Sequence, residues 1–197
     1  MIILLNGASS SGKTTLVRAW QQAMATPYLD AGLDRFLWML PGRYLKQPLW
    51  DDVLGLATEA GETGHRLVHG MHRAIAALSQ AGNCVVADHV LVEPEWVTDC
   101  ATVLADLPAW LIGVRCPLPV LVERERGRGD RTLGQAAAQY ERVHAHGVYD
   151  FEVDTSTMSP EECVDVIIRQ IKGTPPFALR TLATLNTNVK GAAINLS

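Results

Sequence analysis

Met1-Ile-Ile-Leu-Leu-Asn6-Gly7-Ala-Ser-Ser-Ser-Gly12-Lys13-Thr14-Thr15 opens the chain. An apolar run leads straight into a loop with the spacing G-x-x-x-x-G-K-[ST]. Behind it Leu16, Val17, Trp20 and Ala23 recur at helical spacing. A buried strand, a glycine-bounded loop and a helix, in that order, are what a phosphate cradle requires. The glycines let the backbone curl until successive N–H groups converge on phosphate oxygens. Lys13 brings a positive charge to the β- and γ-phosphates, and the Thr14 hydroxyl can ligate Mg²⁺. The helix that starts at Lys13 points its positive end at the same anion. Gly7, Ala8, Ser9, Ser10, Ser11, Gly12, Lys13, Thr14 and Thr15 are therefore predicted to hold a nucleoside triphosphate. A mere Gly/Ser-rich turn is the alternative, and it leaves the strand before and the helix behind unexplained.

The rest of the composition narrows the class. A chain of 197 residues suits one domain, and 48% apolar with 19% charged residues describes an ordinary globular protein. The net charge of −4 gives no broad basic field, which argues against nucleic acid as the partner. No apolar run reaches membrane-spanning length, and the start lacks a basic leader and cleavage site, so a cytoplasmic protein is expected. Cys84, Cys100, Cys116 and Cys163 form no C-x-x-C pair and read as buried, reduced thiols.

Periodicity predicts alternating strands and helices. After the strand at 1–6 and the helix at 13–25 come a short strand at Tyr28-Leu29 and a helix near 33–40. Residues 41–58 read as an irregular excursion. A long helix at about 60–81 is stopped by Gly82, followed by the strand Cys84–Asp88 and a helix opened by Glu93-Pro94-Glu95. Then follow a strand at 110–115, a helix at 118–127, a helix at 132–145 and a strand at 151–154. A last helix runs to about 172, its start marked by Ser159-Pro-Glu-Glu162, a capping box. Continuous apolar strands alternating with helices predict an α/β fold with a parallel sheet covered on both faces. Ligands of such sheets bind beyond the carboxyl ends of the strands, which puts Gly7–Thr14, Asp88 and Arg115 along one rim. Residues 173–197 are almost uncharged, and both a free tail and a packed extension stay open.

Phosphoryl chemistry needs more than the loop. Asp88 ends a buried strand, so it can serve as a second handle on Mg²⁺, directly or through water; a turn or capping Asp is the alternative. Arg124, Arg126, Arg128 and Arg131 fall within eight residues interrupted by Gly127 and Gly129, which reads as a hinged lid of positive charge. A solvated basic helix face would not need the glycines. An acceptor hydroxyl needs a carboxylate, and Asp30, Asp34, Asp51 and Asp52 all lie where the rim should open; spacing does not choose among them. His65, His69 and His72 share one face of the long helix, a metal stripe without an evident fourth ligand or else a partly exposed face. His144 and His146 flank a helix end, where partial positive charge is favourable.

In these residues the chain resembles the chloramphenicol phosphotransferases, small P-loop kinases similar in fold to shikimate and adenylate kinases. The resemblance covers about 1–170. It rests on Ile2–Gly7 leading into Ser9–Lys13, Gly32-Leu33-Asp34 with Leu40-Pro41, Ala81-Gly82 before the strand ending at Asp88, and Gly113–Cys116. Arg124-Glu125, Arg128–Arg131, Val143-His144, Gly147–Asp150 and Glu152–Thr155 complete it. It implies a three-layer fold with a five-stranded, mostly parallel sheet and a small Arg-rich lid. It implies ATP and Mg²⁺ as cofactors and transfer of the γ-phosphate to the primary hydroxyl of chloramphenicol. By the same resemblance Asp34 is the base, and Arg128 and Arg131 belong to the lid that closes over the phosphates; with these, Lys13 and Arg124 are expected at the phosphates and Thr14 and Asp88 at the metal. The expected kinase domain is 1–172, with a lid at about 124–132 and an acceptor-binding excursion at about 33–64. His89 departs from the family, which can show a second acidic residue there. Residues 36–62 match poorly, although Trp38, Met39, Tyr44 and Trp50 could line an aromatic pocket or pack as core. A kinase for another metabolite or nucleoside, and a nucleotide-binding regulatory module, are the rival readings. A homo-oligomer is left open.

Overall fold

The computed structural model describes residues 1–46, 49–54, 60–128 and 133–194; the side chains of 51, 52, 128 and 187–194 fall outside that description. Five strands, β1 (Ile2–Asn6), β2 (Tyr28–Asp30), β3 (Cys84–His89), β4 (Ala109–Arg115) and β5 (Phe151–Asp154), form one sheet in the order β2-β3-β1-β4-β5. Every adjacent pair is parallel. The first strand is therefore central, with Ile2 opposite Val85 on one side and Ala109 on the other.

That position explains why β1 reads as unbroken hydrophobicity. Ile3 and Leu5 face one layer with Val86, Ile112 and Val114; Ile2 and Leu4 face the other with Val85, Ala87 and Leu111. Helices α1 (Lys13–Ala23) and α8 (Pro160–Gly173) cover the first face through Leu16, Val17, Trp20, Val164 and Ile167. The second face carries α4 (Glu62–Gln80) and α5 (Pro94–Leu104), which bury Met71, Ile75, Trp96 and Leu104. Among the described residues the Ser159 capping box is present, its hydroxyl accepting from Glu162 N–H at 3.2 Å.

Around this frame lie α2 (Leu33–Leu37), a 3-10 turn at Gly42–Leu45, α3 (Leu49–Val53), α6 (Leu118–Arg128) and α7 (Gln135–Tyr140). The expected irregular excursion thus contains two short helical pieces. The helix expected over 132–145 is regular only at α7, because Gly134, at φ 91, starts it and a run of turns follows Tyr140. The chain after 173 forms α9 (Ala178–Ile194), with Ala178, Leu179 and Leu182 buried beside α5. The four cysteines are free thiols, three of them buried. No helix among the described residues is long and apolar enough to cross a membrane.

Candidate active site

Asn6, fully buried at the end of β1, ties the loop to its surroundings. Its Nδ2 donates to Val143 O and Tyr149 Oη at 2.7 Å each, and its Oδ1 accepts from Leu91 N–H at 2.8 Å. The loop then leaves through a gap only glycine fits, since a Cβ on Gly7 would lie 2.6 Å from Val114 O. Gly12 turns the chain into α1 at φ 87. Two distant side chains hold the loop in place. Thr155 Oγ1 donates to Ser11 O at 2.8 Å, and Ser9 N–H donates to Gln139 Oε1 at 2.6 Å. Lys13, almost wholly buried, folds its ammonium back on Gly7 O and Ala8 O at 2.7 Å each. The Ser10 and Ser11 hydroxyls are buried without a hydrogen-bond partner, which is the state expected of a cradle built for an anion.

The carboxylates meet this loop from β3 and α2. Thr14 Oγ1 donates to Asp88 Oδ2 at 3.0 Å, so an all-oxygen pair suited to Mg²⁺ lies at the foot of the cradle. Burial raises the Asp88 carboxyl above its ordinary range; Lys13 opposes the rise and nearby Asp34 adds to it. Room for Asp88 comes from Gly32, where a Cβ would collide with Asp88 Oδ1. The structure separates two of the four candidate acceptor carboxylates, Asp30 and Asp34. Asp30 is committed to Arg35, at 2.7 Å, and to Gly32 N–H, at 3.1 Å. Asp34 lies in the first turn of α2 and lines the same cleft as Lys13 and Asp88. The Asp51 and Asp52 side chains fall outside the described residues, as do the Arg128 side chain and Arg131. Arg124 lines the cleft, but its guanidinium donates to Thr155, at 2.7 Å to the carbonyl and 3.1 Å to the hydroxyl.

The cleft has a volume of about 530 Å³, within the range of small-molecule sites. Its apolar wall includes Leu37, Trp50, Leu54, Val92 and Trp96. Of the four residues considered for an aromatic pocket, Trp50 lines the cleft and Tyr44 packs against the core. Trp38 and Met39 instead point outward, 73% and 74% exposed, because α2 ends before them.

Several participants carry no local signature. Gln139 comes from α7, and Glu125, 2% exposed on α6, accepts from Gly134 N–H and Ala136 N–H at 2.8 Å each. Glu93 accepts from Arg142 at 3.1 Å. Thr155 could have been found by the strand-end rule that singled out Asp88, since it follows β5 on the same rim. The expected partly exposed histidine face is divided: His72 is fully buried, its Nδ1 2.7 Å from Asp99 and its Nε2 2.8 Å from His89 Nε2. Val90 N–H donates to His89 Nδ1 at 2.7 Å, so the proton of neutral His89 is on Nε2, facing His72. Nor do His144 and His146 favour charge: burial, chiefly, lowers them to about 3 and about 4.

A parallel sheet with the order β2-β3-β1-β4-β5, a phosphate loop after its central strand and a carboxylate ending the adjacent strand define a P-loop kinase fold. The chain belongs to the chloramphenicol phosphotransferase-like protein family, whose model matches residues 1–172. It is 32% identical over 195 residues to "Putative O-phosphotransferase Rv2636" of Mycobacterium tuberculosis, with 92% of this chain and 87% of that protein covered. Among solved structures it resembles a sugar kinase from Janibacter at a TM-score of 0.65 and 16% identity, covering 88% of this chain and 95% of that one. Shikimate kinase from Aquifex aeolicus aligns at a TM-score of 0.56 and 18% identity, covering 88% and 97%. Family and fold together make this a small-molecule phosphotransferase of the P-loop kinase type.

Proposed function

We propose that the chain transfers the γ-phosphate of ATP to a hydroxyl of a small molecule, with the primary hydroxyl of chloramphenicol as the first acceptor to test. The observation that carries the reading is that Asp34 opens on the same cleft as Lys13, Thr14 and Asp88. A triphosphate and a hydroxyl can therefore share one space. A binding module would need neither the second carboxylate nor a neighbouring apolar wall.

In this reading the loop N–H groups and the Ser10 and Ser11 hydroxyls bind the phosphates. Lys13 exchanges its two loop carbonyls for phosphate oxygens. Thr14 and Asp88 hold Mg²⁺, which supplies positive charge where the transferring oxygens become more negative. Asp34 orients the acceptor hydroxyl and takes its proton as the new P–O bond forms and the bond to ADP breaks. Arg128 and Arg131 are assigned to the lid over the phosphates, with Arg124 anchoring it at Thr155. The apolar wall suits a nitrophenyl group, and the family name points the same way.

Mass spectrometry of chloramphenicol incubated with enzyme and Mg·ATP should find one added phosphate. If it finds none while another hydroxyl compound is phosphorylated, the transferase reading stands and the drug assignment fails. Lys13→Ala should remove most turnover. Asp34→Asn should keep ATP binding and cut transfer by about 10²-fold, the scale of a lost general base. Normal transfer in Asp34→Asn would exclude Asp34 as that base.

A further inference from the structure

Outside the cleft, α4 and α5 bring together His65, His69 and Glu95, whose donor atoms all lie within 4.8 Å of one another. The two imidazoles stand one helical turn apart on α4, and the carboxylate comes from the first turn of α5. Glu95 Oε2 is 3.7 Å from His65 Nδ1, and Glu95 Oε1 is 3.4 Å from His69 Nε2. His69 Nε2 is shielded from solvent and makes no hydrogen bond. A hidden ring nitrogen that makes no hydrogen bond, facing a carboxylate and a second imidazole, is placed to share a cation with them.

We propose that His65, His69 and Glu95 bind a transition-metal dication of the Zn²⁺ type, a site separate from the phosphate cradle. Two imidazoles and one carboxylate match the ligand types and number of an open tetrahedral zinc site, with a fourth position left for water or another ligand. The same set disfavours Mg²⁺, which takes oxygen ligands, so the two cations sort themselves by chemistry: nitrogen donors here, oxygen donors at Thr14 and Asp88.

The site also reaches the cleft. Trp96, buried and lining the cleft wall, donates from its indole N–H to His65 Nδ1 at 3.0 Å. That is the lone pair a metal would take. Metal ligation and the indole hydrogen bond therefore compete, and loading the site releases the Trp96 indole from His65. The cation thus acts on the wall facing the acceptor rather than on the phosphates.

The test is a Co²⁺ titration of the untagged, chelator-dialysed chain, followed by visible absorption, with Zn²⁺ as competitor. One Co²⁺ per chain, with intense tetrahedral bands that Zn²⁺ removes, is the expected result. Asp88→Asn should keep these bands. Glu95→Gln, at an exposed side chain, and His69→Ala should each weaken binding by about tenfold or more, since even loss of a ligand's supporting partner costs that much. Trp96→Phe should tighten binding by about threefold to tenfold, the worth of one neutral hydrogen bond no longer competing. Absence of one-to-one binding, or bands unchanged in Glu95→Gln and His69→Ala, would overturn the site. Unchanged affinity in Trp96→Phe would overturn the link to the cleft.

Discussion

Gly32 shows how much of this site depends on an absent side chain. Its backbone, at φ −66 and ψ 161, is one any residue adopts, so glycine is not required there by conformation. It is required by space, because a methyl group would meet Asp88 Oδ1. Gly32→Ala is therefore expected to fold but to push the carboxylate off Thr14. An ångström-scale displacement of this kind costs about 10²-fold in turnover, with a raised Mg²⁺ requirement; steady-state rates against Mg²⁺ concentration measure both. Unaltered Mg²⁺ dependence would remove Asp88 from the metal. Lys13, Thr14 and Asp88 were legible because a local spacing or a strand end marks each of them. Asp34 and Asp30 were not distinguishable that way. Their fates are decided by Arg35 reaching back to Asp30 and by β2 lying next to β3, neither of which leaves a trace in spacing.

Among the elements, α7 is the least self-sufficient. It has six residues, starts at a glycine with no side chain to cap it, and takes its cap from Glu125 on α6. Through Gln139 it in turn holds the Ser9 N–H of the phosphate loop. Removing the carboxylate in Glu125→Ala should cost about 1.5–3 kcal/mol, the range for hydrogen bonds to a charged acceptor. Hydrogen exchange should rise at 135–140 before it rises in β1. Equal protection of both segments in the variant would mean that α7 is held by other contacts. The hinged lid expected at about 124–132 lies partly outside the described residues; beyond it the cap of α7 is a tertiary contact, so periodicity drew that helix too long. Three of the five strands, β1, β3 and β4, were read closely because each is a mostly apolar run. The helical turns inside 41–58 were hidden by Pro41 and by the lack of an apolar repeat.

For the molecule as a whole, buried histidines set the acid limit of stability. Burial, as the first cause in each case, lowers the pKa of His72, His89, His144 and His146. The unfolded chain then binds more protons than the native one below about pH 6.5, so stability falls as pH drops through that value. Asp99 works in the same sense but at lower pH: burial would raise its carboxyl, yet hydrogen bonds to His72 and Arg73 overcome that and lower it, so its contribution is lost only below the ordinary carboxylate range. Between about pH 6.5 and 4 the histidines therefore dominate, each adding a slope of up to about 1.4 kcal/mol per pH unit. Urea midpoints should fall across this window, and His146→Asn should flatten the curve by roughly one group's share. A flat profile in the parent chain would show that the rings are not held neutral. The central place of β1 has a consequence in time as well as space. During synthesis Ile2–Leu5 emerges before its two ladder partners, which arrive only with Val85 and Ala109, and the Thr155 that steadies Ser11 comes later still. Such long-range pairing is slow to form. The strand that leads into the phosphate loop therefore waits as an unpaired apolar segment until those partners are made, and the nascent chain is most vulnerable to aggregation where the finished protein is most buried.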